Sequence, residues 1–283
     1  MGQIGKITSS SNQQIKYINN LQTKASARRK EGVFVVEGLK IFLEVPDELI
    51  VNIYVSESTI KDITETKKGF NDSIYEKVRK KLNNHDFTVI SDDIAKNISD
   101  TVTDQGMFVV VKQLEYDIDD YINIEEKQIF VILDGLNDPG NMGTIIRTAE
   151  GAGVSMILTN KECVDIYNPK VTRATMGSLF RVPVKNCQNL VETIKYLKSK
   201  GIVMYGAHLN GKEYFADDAL NESVCIFIGN EARGLSEEIS NEADKLIRIP
   251  MMGKLESLNA SVAAGILMYE ARRKISKWQK VYT

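Results

Sequence analysis

The chain has 283 residues, enough for one large or two ordinary domains with a buried core. Its 36 lysines and arginines nearly balance 38 aspartates and glutamates, so the whole-chain field singles out no partner. Cys163, Cys187 and Cys225 lie far apart with no Cys-x-x-Cys, and His85 and His208 are isolated, which argues against a zinc site or a disulfide framework.

That cysteine usage fits a reducing cytoplasm. The N-terminus lacks the apolar core of a signal peptide and no segment approaches membrane-spanning length, so a cytoplasmic protein without membrane or metal partners is expected. Residues 1–30 carry Lys6, Lys16, Lys24, Arg28, Arg29 and Lys30 and no acidic residue. Such a stretch reads either as a phosphate-facing surface or as a solvated terminal helix.

In chain order, residues 7–30 read as a basic helical segment. Ser9, Ser10 or Ser11 is placed to cap it, and Ile15, Ile18 and Leu21 share one face. A strand ending at Gly38 follows, then a helix over 39–43, a strand over 52–55, a helix over 73–82, a strand over 87–90 and an apolar run at 107–111. Strands alternating with helices make residues 1–112 a small α/β domain. The acidic stretch 115–126 is the linker candidate, within a 113–127 boundary region.

Residues 128–283 are more regular. Apolar runs at 129–133, 154–158, 181–184, 202–205, 224–228 and 246–249 lack polar alternation and read as buried parallel strands. Helical stretches fall near 144–151, 169–177, 190–200 and 236–241, and one closes the chain from Ser257 to about Lys277. This is a doubly wound α/β domain. Its first strand ends Leu133-Asp134-Gly135-Leu136-Asn137-Asp138-Pro139-Gly140, without the Gly-x-Gly-x-x-Gly of a dinucleotide site, and no phosphate loop occurs. The glycine-bearing turns come late, at Gly229 and Gly253, which moves the ligand pocket to the C-terminal third.

Three motifs follow apolar runs: Asn137-Asp138-Pro139-Gly140-Asn141-Met142-Gly143-Thr144-Ile145-Ile146-Arg147; Ile228-Gly229-Asn230-Glu231-Ala232-Arg233-Gly234-Leu235; and Ile249-Pro250-Met251-Met252 with Glu256-Ser257-Leu258-Asn259-Ala260-Ser261. Read from residue type alone, Asn141 is a helix N-cap or a site residue, Arg147 a surface ion-pair partner or a site residue, Glu231 a capping or ion-pairing carboxylate, and Ser257 an N-cap.

In order and spacing these motifs resemble the SpoU (TrmH-like) branch of the SPOUT methyltransferases. The resemblance implies a trefoil-knotted C-terminal domain with a parallel sheet, binding S-adenosylmethionine and methylating a ribose 2′-hydroxyl of RNA. It implies an active-site set of Asn141, Arg147, Glu231, Ser257 and Asn259, with Gly229, Ile249 and Leu258 as backbone contacts to the donor. It also implies a homodimer through that domain. A charged guanidinium has no acceptor, so holding a phosphate and stabilising a developing alkoxide is as physical a role for Arg147 as that of base.

The segment Asn168-Pro169-Lys170-Val171-Thr172-Arg173 resembles a family loop whose Lys170 and Arg173 are candidate RNA contacts, although surface charge also explains them. Ile7-Thr8-Ser9, Phe34-Val35-Val36-Glu37-Gly38, Ser99-Asp100-Thr101 and Gln105-Gly106 look like the ribosomal-protein-like RNA-binding domain of rRNA-modifying SpoU enzymes. Arg28, Arg29 and Lys30 would then face RNA. The expectation is an RNA 2′-O-methyltransferase acting on structured RNA, with large-subunit rRNA favoured. A tRNA substrate, a base-methylating relative and a non-catalytic RNA binder are the alternatives.

Overall fold

The computed structural model describes residues 2–65, 72–100, 105–213 and 220–275. The N-terminal elements are β1 (Gly2–Ile7), α1 (Gln13–Thr23), α2 (Ala25–Glu31), β2 (Val33–Glu37), α3 (Leu39–Glu44), β3 (Ile50–Ser56), α4 (Glu57–Glu65), α5 (Asp72–Leu82), β4 (Asp86–Ile90), α6 (Asp92–Ile98) and β5 (Met107–Lys112). After them come β6 (Ile129–Leu133), α7 (Pro139–Ala152), β7 (Met156–Thr159), α8 (Pro169–Ala174), β8 (Val184–Asn186), α9 (Leu190–Ser199), β9 (Val203–Glu213), β10 (Val224–Ile228), α10 (Glu237–Asn241), β11 (Lys245–Arg248) and α11 (Ala260–Ile275).

Two compact units result. The first is Met1–Leu114 together with Tyr167–Phe180; the second is Glu115–Ile166 together with Arg181–Thr283. Tyr167–Phe180 therefore joins the first unit, although the sequence reading sets it inside 128–283. Its side chains explain why. The Tyr167 ring lies 4.5 Å from that of Phe34, and its hydroxyl accepts from the Leu114 N–H and donates to the Leu114 carbonyl. The acidic stretch expected as a linker belongs to the second unit, because Tyr116, Ile118, Tyr121 and Ile122 interrupt its charges and pack on that unit's core.

In the first unit the sheet order is β1-β4-β3-β5-β2, with β1, β4 and β3 parallel and β5 antiparallel to both β3 and β2. Ile15, Ile18 and Leu21 form the buried face of α1 against Val33, Val35, Phe108 and Val110. Each fully buried side chain of this size contributes roughly 1.5–3 kcal/mol. The single helical segment expected over 7–30 is instead two helices, preceded by a strand that ends at Ile7. Asn12, not one of the serines, is the cap, accepting from the Gln14 N–H at 2.8 Å. Helices α4 and α6 have no counterpart in the sequence reading.

The second unit holds a parallel sheet ordered β11-β9-β10-β6-β7-β8, as expected for buried apolar runs. Phe130, Ile132, Met156, Leu158 and Phe227 meet Leu190, Ile194 and Leu197 of α9 on one face. On the other, α11 packs against α7, β10 and β6. The strand expected over 181–184 lies later, at β8. Among the described residues, no helix is long and apolar enough to cross a membrane.

Candidate active site

Motif one opens α7. The helix starts at Pro139, with Asp138 as its N-cap accepting the Asn141 N–H at 2.7 Å. Proline at the first helical position needs no partner for its missing N–H, which makes Asp-Pro a strong start signal. Asn141 is therefore not the cap, contrary to one sequence reading. Its side chain is inside the helix, 8% exposed, and turned to the interior.

There it joins the other two motifs. Its Nδ2 donates to Glu231 Oε1 at 3.1 Å, and its Oδ1 accepts from Asn259 Nδ2 at 2.9 Å. The amide orientations follow from the chain of bonds. Asn259 Oδ1 caps α11, accepting the Ser261 N–H at 2.9 Å and the Val262 N–H at 3.4 Å, so its NH₂ must face Asn141. Asn141 must then present its own NH₂ to the carboxylate. Asn259 is thus the cap of the last helix, a role the sequence reading offers to Ser257, which is exposed in the turn before it.

Glu231 binds backbone as well as side chain. It accepts from the N–H groups of Asn137 at 3.3 Å and Asp138 at 3.1 Å, so motif two holds the entry to α7. Burial opposes its ionisation most strongly as a single influence. The bonds from Asn141, its own N–H, Asp138 and Asn137 together outweigh it and hold the carboxyl below the usual glutamate range. The reading of Glu231 as a cap for the helix after Ser236 does not apply, because Ser236 caps α10 itself.

Gly229 and Gly234 close the loop that carries Glu231. Asn230 and Gly234 exchange both backbone hydrogen bonds at 2.9 Å, and a Cβ on Gly229 would lie 2.1 Å from the Gly234 carbonyl carbon. Gly234 has φ +71, where side chains other than glycine are strained. Beside this loop is a pocket of about 290 Å³. Gly229, Glu231, Ile249, Ser257 and Leu258 share its wall, with Ile228, Leu235, Ile247 and Leu267 as apolar lining. The three proposed donor contacts thus reach one cavity.

Arg147 does not line it. Asn141 and Arg147 differ by about 240° around α7 at 100° per residue, and Arg147 is exposed with no described partner. Among the RNA candidates, Arg29, Lys30 and Lys170 are exposed. Arg28 is not: it is 2% exposed and its Nη1 donates to the carbonyls of Leu21 at 2.7 Å and Gln22 at 3.1 Å, so it fastens the end of α1 rather than meeting RNA. Arg173 is half-buried and pairs with Asp100 at 2.8 Å and, more loosely, with Glu37 at 3.9 Å. Ser99 and Asp100 also donate to Glu37, and Gln105 Oε1 accepts the Leu39 N–H. Glu37, Ser99, Asp100 and Arg173 therefore build one polar cluster, while Gln105 holds the start of α3; Thr101 lies outside the described residues.

Sequence reasoning missed Asp134. Its buried carboxylate accepts from Asn160 Nδ2 and from the Ser236 N–H, both at 2.7 Å, tying the ends of β6 and β7 to the start of α10. Asp-Gly directly after a strand was the available signal. Among the described residues, no group of three or more His, Cys, Asp or Glu could hold a metal ion.

Residues 128–269 match the SpoU rRNA methylase family, and residues 12–109 match an MRM3-like substrate binding domain. The 23S rRNA (guanosine(2553)-2′-O)-methyltransferase RlmP of Bacillus subtilis is 29% identical over 94% of this chain and 99% of its own. The TrmH-family protein YacO, also of Bacillus subtilis, is 38% identical over 63% of this chain and 75% of its own. The rRNA methyltransferase of Sinorhizobium meliloti, solved with AdoMet bound, superposes with a TM-score of 0.80 at 30% identity, covering 96% of this chain and 98% of that one. With two of its motifs lining one pocket, the third hydrogen-bonded to both, and its family model spanning half of its length, the chain belongs to the SpoU rRNA methylase family.

Proposed function

We propose that this protein transfers a methyl group from S-adenosylmethionine to a ribose 2′-hydroxyl of RNA, with large-subunit rRNA as its substrate. The observation that carries the reading is the hydrogen-bonded chain Asn259–Asn141–Glu231 beside a pocket faced by Gly229, Ile249 and Leu258. It rests further on family membership, on an rRNA-methylating relative that is matched end to end, and on the substrate-binding match over 12–109.

The pocket suits the donor. Its apolar walls accommodate a flat adenine, and main-chain N–H and C=O groups at its turns can read the base edge without a dedicated side chain. When bound, the donor supplies a methyl group already activated by its sulfonium charge. The residues of this chain hold the ribose in line and favour loss of its hydroxyl proton. Glu231 is ionised and its carboxylate is engaged by the N–H groups of Asn137 and Asp138 and the amides of Asn141 and Asn230, so it acts as a fixed orienter. Arg147, exposed and without a described partner, is available to hold the target phosphate and stabilise the developing alkoxide.

Arg147 lies on the outer side of α7, so the complete site is assigned to a homodimer. Val262 and Tyr269, spaced for one face of α11, are 49% and 41% exposed, and Leu255 and Met252 stand out in the turn before that helix. Tyr269 covers Gly151 of α7, which makes the two helices one partly apolar surface. A species of twice the 31.7 kDa chain mass is expected in solution. Three free cysteines, two of them buried, suit a reducing cytoplasm.

The deciding experiment is Arg147→Ala with tritiated donor and unmodified RNA. Methyl transfer is expected to fall on the order of 10²–10⁴-fold, with donor affinity by calorimetry within about twofold. Wild-type transfer in that variant would remove Arg147 from the mechanism. Label recovered on a base instead of a ribose would overturn the reaction assigned.

A further inference from the structure

The second unit contains another cavity, of about 540 Å³, on the far side of the 230–234 loop from the donor pocket. We propose that it takes one nucleotide of the RNA strand next to the methylated ribose, and that Arg233 holds that nucleotide's phosphate. The inference rests on the RNA-methylating reading and adds to it a site for the substrate strand.

Topology gives the first argument. In the sheet order β11-β9-β10-β6-β7-β8, the chain leaves β6 toward β7 and β8, whereas β10, β9 and β11 lie on the other side. Loops diverging from the carboxyl ends of β6 and β10 open a crevice between them, the place where open parallel sheets receive ligands. Asp134 and Gly135 after β6, Asn160 after β7, Gln188 after β8 and Asn230 and Arg233 after β10 surround the cavity. The donor pocket lies elsewhere, between Ala207–Leu209 of β9, the turns that follow β10 and β11, and the start of α11, so the switch point is left for another ligand.

The floor is polar and fixed. Asp134 is 6% exposed and engaged by Asn160 and Ser236, and Asn160 Oδ1 accepts the Gly135 N–H at 3.1 Å. An apolar occupant would strip water from these groups without replacing its bonds. A nucleobase carries donors and acceptors on its edges and can replace them. Gln188, exposed at the rim with no described partner, offers an amide donor and acceptor to the same edge.

Arg233 supplies the charge. Asn230 Oδ1 accepts the N–H groups of Ala232 at 3.0 Å and Arg233 at 3.1 Å, so the main chain of this residue is held in place. Its side chain is exposed, has no described partner, and lines both cavities. The neighbouring carboxylate of Glu231 is engaged by Asn137, Asp138, Asn141 and Asn230, and of the other charged residues on the cavity wall, Lys161 pairs with Glu162 at 3.8 Å while Glu238 is exposed. A guanidinium on the wall between a donor pocket and a polar cavity is placed to grip the phosphodiester that joins the target nucleotide to its neighbour.

The test compares full-length wild type, Arg233→Ala and Arg233→Lys, with labelled transcribed large-subunit rRNA as the probe. RNA binding is followed across a salt series, donor binding by calorimetry, and methyl transfer at saturating RNA. In Arg233→Ala the RNA Kd is expected to rise about tenfold, and the slope of log K against log salt to shrink by about 0.7–0.9, the value of one phosphate contact. Arg233→Lys restores the salt slope but only part of the affinity. Unchanged RNA Kd and slope in Arg233→Ala overturn the proposal, as does a loss confined to donor binding. Because binding is read separately, a wild-type protein that binds rRNA without methylating it counts against the reaction and leaves the Arg233 comparison decisive.

Discussion

Gly229→Ala tests whether the loop after β10 is a wall of the donor pocket. A methyl group there would stand 2.1 Å from the Gly234 carbonyl carbon, 2.2 Å from the Leu235 nitrogen and 2.4 Å from the Gly234 oxygen. Ordinary contact begins near 3.4 Å, and the obstructing atoms are all backbone, so no side chain can swing aside. The bracket has to open by more than an ångström, which strains or breaks the paired Asn230–Gly234 hydrogen bonds. Overpacking of this kind costs about 1–3 kcal/mol, which lowers Tm by roughly 2–4 °C per kcal/mol in a domain of this size. The fold should survive that loss. Displacement of the wall carrying Glu231 and facing Leu258 should weaken the donor by at least about tenfold, or 1.4 kcal/mol. Thermal melting and calorimetry with S-adenosylmethionine on the same preparation separate the two effects. A folded variant with wild-type donor affinity refutes the assignment of this loop to the donor pocket.

The shared 2.9 Å bond between Asn141 and Asn259 predicts coupling. Alanine at either position should lower kcat/KM, and the double variant should lose less than the sum of the two, by about 1 kcal/mol in a double-mutant cycle; strict additivity contradicts the hydrogen-bonded chain. Arg28→Ala should lose about 1.5–3 kcal/mol of stability in urea, because a buried charged donor leaves two backbone carbonyls. Arg29→Ala, at an exposed position, should stay within about 0.5 kcal/mol; equal melts for the two variants contradict the structural role of Arg28. The Glu231 carboxyl has a lowered pKa, so the stability it contributes is present above the ordinary glutamate range of about 4 to 5 and is lost as pH falls through its depressed folded value. Donor binding should therefore show no Glu231 transition between about pH 6 and 8, and the acid limb of its pH profile should be lost in Glu231→Gln; a transition near neutrality that disappears in Glu231→Gln contradicts this.

The second unit was the more legible half. Its central strands β6, β7 and β10 are buried throughout and read as plain apolar runs, and its motifs carry glycine, asparagine and serine at the turns. Their convergence was legible only through resemblance, since no periodicity links Asn141 to Asn259. Strand β1 is hard to read because Gly2-Gln3-Ile4-Gly5-Lys6-Ile7 is an edge strand with little apolar alternation. Arg28 misleads when charge is equated with exposure; the break at Lys24 starts a second helix whose buried Arg28 reaches back to the carbonyls that end α1. Arg173 reads as a phosphate contact because its partners Glu37 and Asp100 are distant in sequence. The start of α7 at Asp138-Pro139 is a local signal, and the sequence reading places that helix too late.

The central claim is that the turns bearing Gly229, Ile249 and Leu258 form the methyl-donor cradle. A crystal structure of the protein with S-adenosylmethionine tests it most directly. The account predicts the donor in the 290 Å³ pocket, touching the main chain at all three positions, with its sulfonium on the side of Glu231. A donor found instead in the cavity at the β6–β10 switch point would contradict it.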